Sequence, residues 1–264
     1  MKRQELIDWL EAEIAAFPCK TSLLMMDLQR GVELLNHDGD AQVTSASTIK
    51  VPILMTALDQ CARNNLSMDQ MVAIPTPFED TTVFEPENYQ SHYTLMELLE
   101  WMIINSDNTA TNAIIDLLGM DTVNRFVTRI GAEKTVLQRK MLDFEAKAAG
   151  RDNLTSARDQ FKFYSLFAWC AKRDALWHEG MEMLYRQRDN SSFLRYLCGP
   201  LSLAHKTGGL DHVAHDAGLF MNDENPFYLG IFTWDGPSLD GAPEQHRYIG
   251  KLTKKIYQWR MGLI

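Results

Sequence analysis

Ser47-Thr48-Ile49-Lys50 opens an apolar helical pattern that continues through Val51-Pro52-Ile53-Leu54-Met55 to about Arg63. Positions i and i+3 of a helix share a face, so this spacing sets the lysine amine beside the serine hydroxyl. A serine hydroxyl is a weak nucleophile until a neighbour accepts its proton. A lysine does this when burial or nearby positive charge lowers its pKa. A helix that begins at the serine also aims backbone N–H groups and the positive dipole end at it, the donors an oxyanion needs. Pro52 falls in or near the first turn, where a missing N–H is tolerated. The same four residues also fit a serine N-cap followed by an exposed lysine, so more of the chain is needed.

Two further motifs follow in order. Ser106-Asp107-Asn108 lies between two helical patterns. Its residues suit an ordinary cap or turn. They also suit a site in which Ser106 relays a proton to a leaving group, Asn108 offers an amide to a substrate carbonyl and Asp107 points inward to fix the turn. Lys206-Thr207-Gly208-Gly209 ends an apolar segment and precedes more strand. Its lysine and threonine can grip a carboxylate, and glycines let a substrate lie close to the backbone.

Around these motifs the chain reads as a helix over 2–17, strands at Ser22–Gln29 and Val32–Asn36, and an Asp-Gly turn at 38–39. A mostly helical stretch follows to about residue 190. Its apolar faces include Leu95, Leu98, Leu99 and Met102, then Ala113, Ile114, Leu117 and Leu118, then Phe161, Tyr164, Leu166 and Phe167. Val213–Met221 and Phe227–Trp234 are strand-length apolar runs, and 243–260 reads as a closing helix. Residues 1–45 and 190–264 are therefore expected to build one α/β sheet domain, and 46–189 an all-helical domain inserted between them. The site is expected in the cleft.

With 264 residues, 45% hydrophobic and 23% charged, the composition is that of a globular chain. A net charge of −9 supplies no footprint for a phosphate backbone, and no apolar run is long enough to span a bilayer. A small-molecule substrate is the expected partner, with no nucleic acid and no membrane; the oligomeric state stays open. Glu5, Asp8, Glu11 and Glu13 interrupt what would have to be the apolar part of a secretory signal. With Met1 as the native start the chain is expected in the cytoplasm; with a trimmed start it is expected to be exported. Cys19, Cys61, Cys170 and Cys198 are scattered and read as buried free thiols. His205, His212 and His215 lack the spacing and companions of a metal set, so neither metal nor cofactor is expected.

Taken in order, serine-x-x-lysine, serine-aspartate-asparagine and lysine-threonine-glycine resemble the penicillin-recognising serine hydrolases of the class A β-lactamase type, across nearly the whole chain. The resemblance implies a two-lobed β-lactamase/transpeptidase-like α/β fold, an antiparallel sheet flanked by helices plus a helical lobe. It implies acylation of Ser47 by a lactam, amide or ester. Lys50 becomes general base or relay and Ser106 the second catalytic serine. Asn108, Lys206 and Thr207 become substrate-binding residues, and the N–H groups of Ser47 and Gly209 the oxyanion hole.

Two departures stand out. The loop glutamate that positions the deacylating water in the family falls at or near Met141, with no Glu-Pro there; the chain's one Glu-Pro, Glu85-Pro86, precedes Ser106. Asp143 and Glu145 are the nearby carboxylates. The strand after Lys206 also carries no arginine, which leaves His215 as the nearest cation for a substrate carboxylate. Slow deacylation is expected. A D-alanyl-D-alanine-type peptidase, a small esterase or amidase, a penicillin-binding sensor that keeps its acyl group and a fold without chemistry remain as alternatives.

Overall fold

The computed structural model describes residues 1–74, 83, 90–222, 224–239 and 243–264. Glu85-Pro86, and Asp223 of the turn before the last strand, lie outside the described residues. The chain runs α1 (Arg3–Ala16), β1 (Lys20–Asp27), β2 (Val32–His37), β3 (Val43–Thr44) and a 3-10 turn over Ala46–Ile49. It continues through α2 (Lys50–Ala62), β4 (Met71–Ala73), β5 (His92–Thr94), α3 (Leu95–Ile104), α4 (Asn108–Leu118), α5 (Met120–Arg129) and α6 (Phe144–Ala148). Then come β6 (Leu154–Thr155), α7 (Ala157–Ala171), α8 (Ala175–Tyr185) and a second 3-10 turn over Phe193–Tyr196. β7 (Leu203–Leu210), β8 (Val213–Phe220), β9 (Phe227–Trp234) and α9 (Glu244–Arg260) complete it.

The main sheet has the order β2-β1-β9-β8-β7, every pairing antiparallel. The N-terminal hairpin thus zips onto the last strand, and the two ends of the chain share one sheet. Both faces of that sheet are covered over β1, β8 and β9, which is why those strands read as apolar runs rather than as alternation. Leu23 and Met25 of β1 join Leu229 and Ile231 of β9 against α1 and α9, with Leu6, Leu10, Ile249 and Ile256. The alternate residues Leu24 and Met26 face the other way, into a core shared with Leu98, Leu99, Tyr164 and Phe167 of the helical side.

The middle of the chain is helical in the main, but it holds a short ladder, β4 with β5, and β3 pairs with β6 from within it. Strands of two or three residues are too short to show a period, so they left no trace in the hydrophobic pattern. The thiols also differ from expectation: all four are free, yet Cys19, Cys61 and Cys170 are only half-buried and Cys198 is exposed. No helix among the described residues is long and apolar enough to cross a membrane.

Two local features set the site. The α2 helix begins at Lys50 rather than at Ser47, because Ala46–Ile49 winds as a 3-10 turn. Three residues per turn eclipse i and i+3, so Ser47 and Lys50 keep a common side. β7 runs directly against that turn. A Cβ built on Gly208 would lie 3.0 Å from Ala46 Cβ, 3.1 Å from Ser47 N and 3.2 Å from Ser45 O. The glycine after Lys206-Thr207 is therefore needed for the strand to approach the serine turn. Gly208→Ala is expected to cost about 2 kcal/mol through overpacking against backbone, read as a lower urea midpoint at unchanged m-value.

Candidate active site

Ser47 lines a cleft of about 400 Å³ between the helical side and β7, together with Ser106, Asn108, Thr207 and Gly209. Its turn is held from several sides. Thr48 Oγ1 donates to Ser45 O at 2.7 Å, Ser45 N donates to Asn153 O at 2.7 Å, and Gln160 Nε2 reaches Thr48 O at 3.3 Å. Ala46, just before the serine, sits at φ 44°, a left-handed conformation that costs an L-residue on the order of 1–2 kcal/mol. The surrounding bonds maintain that strain at the serine.

Lys50 is fully buried. Its Nζ donates to Ser106 O at 2.6 Å, Asn108 Oδ1 at 2.9 Å and Ser106 Oγ at 3.1 Å. Those acceptors come from the junction of α3 and α4. Ser106 turns the chain at φ 59°, and Asp107 caps α4 by accepting from Ala110 N at 2.8 Å. Asp107 is 2% exposed, so it fixes the turn from inside, as its place in the motif suggested.

Lys206, also fully buried, reaches the same hydroxyl from the sheet: its Nζ donates to Ser106 Oγ at 3.0 Å and to Thr207 O at 3.1 Å. Ser106 Oγ thus accepts from two lysines, which occupies both lone pairs and leaves its own proton to point elsewhere. Burial pulls Lys206 down to about 8, against the opposing charges of Asp189 and Asp216. Burial would raise the Asp189 carboxyl, but hydrogen bonds from Ser191 and Thr207 and the charge of Lys206 outweigh it and hold it below the usual range. Behind β7, His205 Nδ1 donates to Asp216 Oδ1 at 2.8 Å, and Phe193 N donates to the other oxygen at 3.1 Å. The strand is thereby tied to the second 3-10 turn.

His215 does not join the cleft. Its ring is buried in β8, with Nε2 meeting Thr44 O at 2.8 Å and Nδ1 meeting Ala214 O at 2.8 Å and Thr233 N at 3.2 Å. Burial pulls it down to about 4, so at neutral pH it carries no charge for a carboxylate. Arg195 of the second 3-10 turn does line the cleft, with Asp189, Ser191 and His246. Sequence reasoning missed these four. They lie outside the three motifs, and His246 and Arg195 reach the cleft only because α9 packs beside that turn. His246 Nδ1 meets Ser192 Oγ at 2.8 Å and Ser191 Oγ at 3.2 Å.

The loop expected to carry a glutamate is anchored at Met141. Asn112 Oδ1 accepts from Met141 N at 2.7 Å, and Asn112 Nδ2 donates to Met141 O at 3.1 Å. The loop is braced below by the Arg139–Asp152 ion pair at 2.8 Å and by Asn153 Oδ1, which accepts from Gln138 N and Arg139 N. Asp143 caps α6 through Ala146 N at 2.8 Å, and Glu145 is exposed; neither lines the cleft.

A serine with a buried lysine one turn on, set in a cleft between helices and an antiparallel sheet, is the arrangement of a serine hydrolase that works through an acyl-enzyme. The chain belongs to the beta-lactamase enzyme family, whose sequence pattern matches residues 5–260. A β-lactamase from Bacteroides uniformis is 21% identical over 249 residues, covering 85% of this chain and 81% of that protein. The fold is similar to that of a β-lactamase from Sphaerobacter thermophilus, with a TM-score of 0.84, 23% identity and coverage of 100% of this chain and 99% of that one. It is equally similar to a leucine-to-glutamate variant of PBP-A solved as an acyl-enzyme with penicillin G, with a TM-score of 0.84, 24% identity and coverage of 98% and 96%.

The Lys206 value sets a pH dependence. The amine is charged below about 8 and loses that charge as pH rises through it. The second-order rate of acylation by a carboxylate-bearing penicillin is therefore expected to fall on the basic side through about pH 8. The methyl ester of the same penicillin, which offers no carboxylate, is expected to lack that limb in a stopped-flow pH series.

Proposed function

We propose that the chain is a penicillin-binding serine hydrolase of the class A β-lactamase type that is acylated at Ser47 and releases the acyl group slowly. Ser47 Oγ attacks the lactam carbonyl, and the C–N bond breaks. The Ser47 proton passes to Lys50 as Lys50 hands one of its own to Ser106, whose proton goes to the leaving nitrogen. The net movement is one proton from Ser47 Oγ to nitrogen, with Lys50 unchanged in charge. The developing oxyanion faces the backbone N–H groups of Ser47 and Gly209. Lys206, Thr207 and Arg195 receive the substrate carboxylate, and Asn108 an amide carbonyl.

The observation that carries the slow step is the clamp of Asn112 on Met141. It holds Met141, an apolar side chain 8% exposed, at the loop position to which the resemblance assigns the water-activating glutamate. Asp189 is the one carboxylate among the described residues lining the cleft, and it is already engaged by Ser191 N at 2.9 Å. A water entering the acyl-enzyme therefore meets no spare carboxylate among the described residues lining the cleft. The same observation favours, as second reading, a D-alanyl-D-alanine-type peptidase or an acyl-retaining sensor.

Intact-protein mass spectrometry after mixing with penicillin G tests this. A Ser47-dependent adduct lasting minutes or longer is expected, with none on Ser47→Ala. No adduct at millimolar penicillin would remove β-lactams from the substrate class, and clearance within seconds would remove the slow step. Met141→Glu is expected to shorten the adduct lifetime by about 100-fold, within the range general-base catalysis contributes, with little change in the acylation rate.

A further inference from the structure

A second cavity, of about 580 Å³, lies on the other side of the wall that closes the catalytic cleft. That is room for a compact organic molecule, since ligand pockets span about 300–1,000 Å³. Its floor is aromatic. Phe17, just past α1, stacks on Tyr248 of α9 with centroids 4.2 Å apart and planes within 5°, and Tyr196 is 40% exposed beside them. Its rim is cationic. Arg247, Lys251 and Lys254 follow one another along one face of α9 and all line the cavity. Lys251 is held by Glu13 at 2.5 Å, whereas Arg247 and Lys254 make no ion pair among the described residues. Glu244, at the near end, accepts from Ser238 Oγ at 3.3 Å. On a chain of net charge −9, two such cations over an aromatic floor call for an anion with a flat apolar body.

The wall itself is thin and shared. Arg195 lines the catalytic cleft, and the next residue, Tyr196, lines this cavity; His246 lines the cleft, and the next residue, Arg247, lines this cavity. The turn carrying Arg195 and Tyr196 packs on α9 at Gly250, where an added Cβ would meet Ser192 O at 2.9 Å and the Arg195 and Tyr196 side chains at 3.1 Å. The Arg195 guanidinium also lies 5.8 Å from the Tyr196 ring centroid. A molecule that moves Tyr196 is therefore placed to move Arg195, the residue proposed above to receive the substrate carboxylate.

We propose that this cavity between α1, α9 and the Phe193–Tyr196 turn is a binding site for a small aromatic anion, an aryl carboxylate or sulfonate, whose occupancy changes acylation at Ser47 through Arg195. The binding half stands apart from the reading of Ser47; the coupling half rests on it.

The probe is 8-anilinonaphthalene-1-sulfonate, followed by fluorescence on the full chain, with neutral N-phenyl-1-naphthylamine as comparison. Saturable binding of the sulfonate is expected, about tenfold weaker in Arg247→Gln/Lys254→Gln. It should be unchanged in Arg63→Gln/Arg129→Gln, which alters a separate apolar groove on the helical side. At a sulfonate concentration that just saturates the wild-type chain, the penicillin acylation rate is expected to change at least about threefold, and less in the Arg247/Lys254 variant, whose tenfold weaker site is then only partly filled. Equal binding by the double variant, tighter binding of the neutral amine, or an acylation rate that saturating sulfonate leaves untouched would each overturn the proposal. A chain that never acylates yet binds the sulfonate with this charge dependence would sink the reading of Ser47 and leave the binding site standing.

Discussion

Two lysine amines, both withdrawn from water, meet on the single hydroxyl of Ser106, Lys50 from 3.1 Å and Lys206 from 3.0 Å. Burying an ammonium costs several kcal/mol unless its donors are matched and its charge is answered. The fold answers each lysine differently. Lys50 is met by Ser106 O and Asn108 Oδ1, both at the α3–α4 junction. Lys206 has Thr207 O at 3.1 Å, with the carboxylates of Asp189 and Asp216 nearby. The junction must hold Ser106 at a left-handed backbone angle, α2 must begin at Lys50, and β7 must run against the serine turn. Loss of any one of these would leave a buried charge poorly matched.

The sheet makes that convergence possible. Because its first hairpin pairs with its last strand, it is a rigid plate with both faces buried, and β7 is its edge on the side of the cleft. The His205–Asp216 contact and the Phe193 N–H tie this edge to the turn that carries Arg195. One wall of the cleft is thus an extension of the sheet edge through a four-residue turn seated on α9. The opposite wall is an extension of the helical core through Ser106 and Asn108, at the junction of α3 and α4.

Much of this was legible in the chain, because the chemistry is written in three short motifs whose members are close in sequence. Ser47 with Lys50 and Ser106 with Asn108 each lie within one turn of chain, so spacing alone put each pair on one side. The strands of the main sheet were legible because both faces are apolar. Gly208 was read as giving room to a substrate; it lines the cleft, and a side chain there would also strike Ala46, Ser47 N and Ser45 O, which the sequence did not show. His215 had the right place in sequence to meet a substrate carboxylate, but β8 turns its ring inward, where backbone groups of Thr44, Ala214 and Thr233 engage both nitrogens.

What the sequence determined by itself is the order of the chemical groups and the apolar strands that set the sheet. What only the tertiary structure decided is which residues wall the cleft. Asp189, Arg195 and His246 share no motif and no spacing with Ser47. They reach it because the Phe193–Tyr196 turn packs on α9 across Gly250, a contact between segments some fifty residues apart that no local period encodes. The protonation of Lys206 belongs to the same category, since its pKa follows from burial and neighbouring charge rather than from residue type.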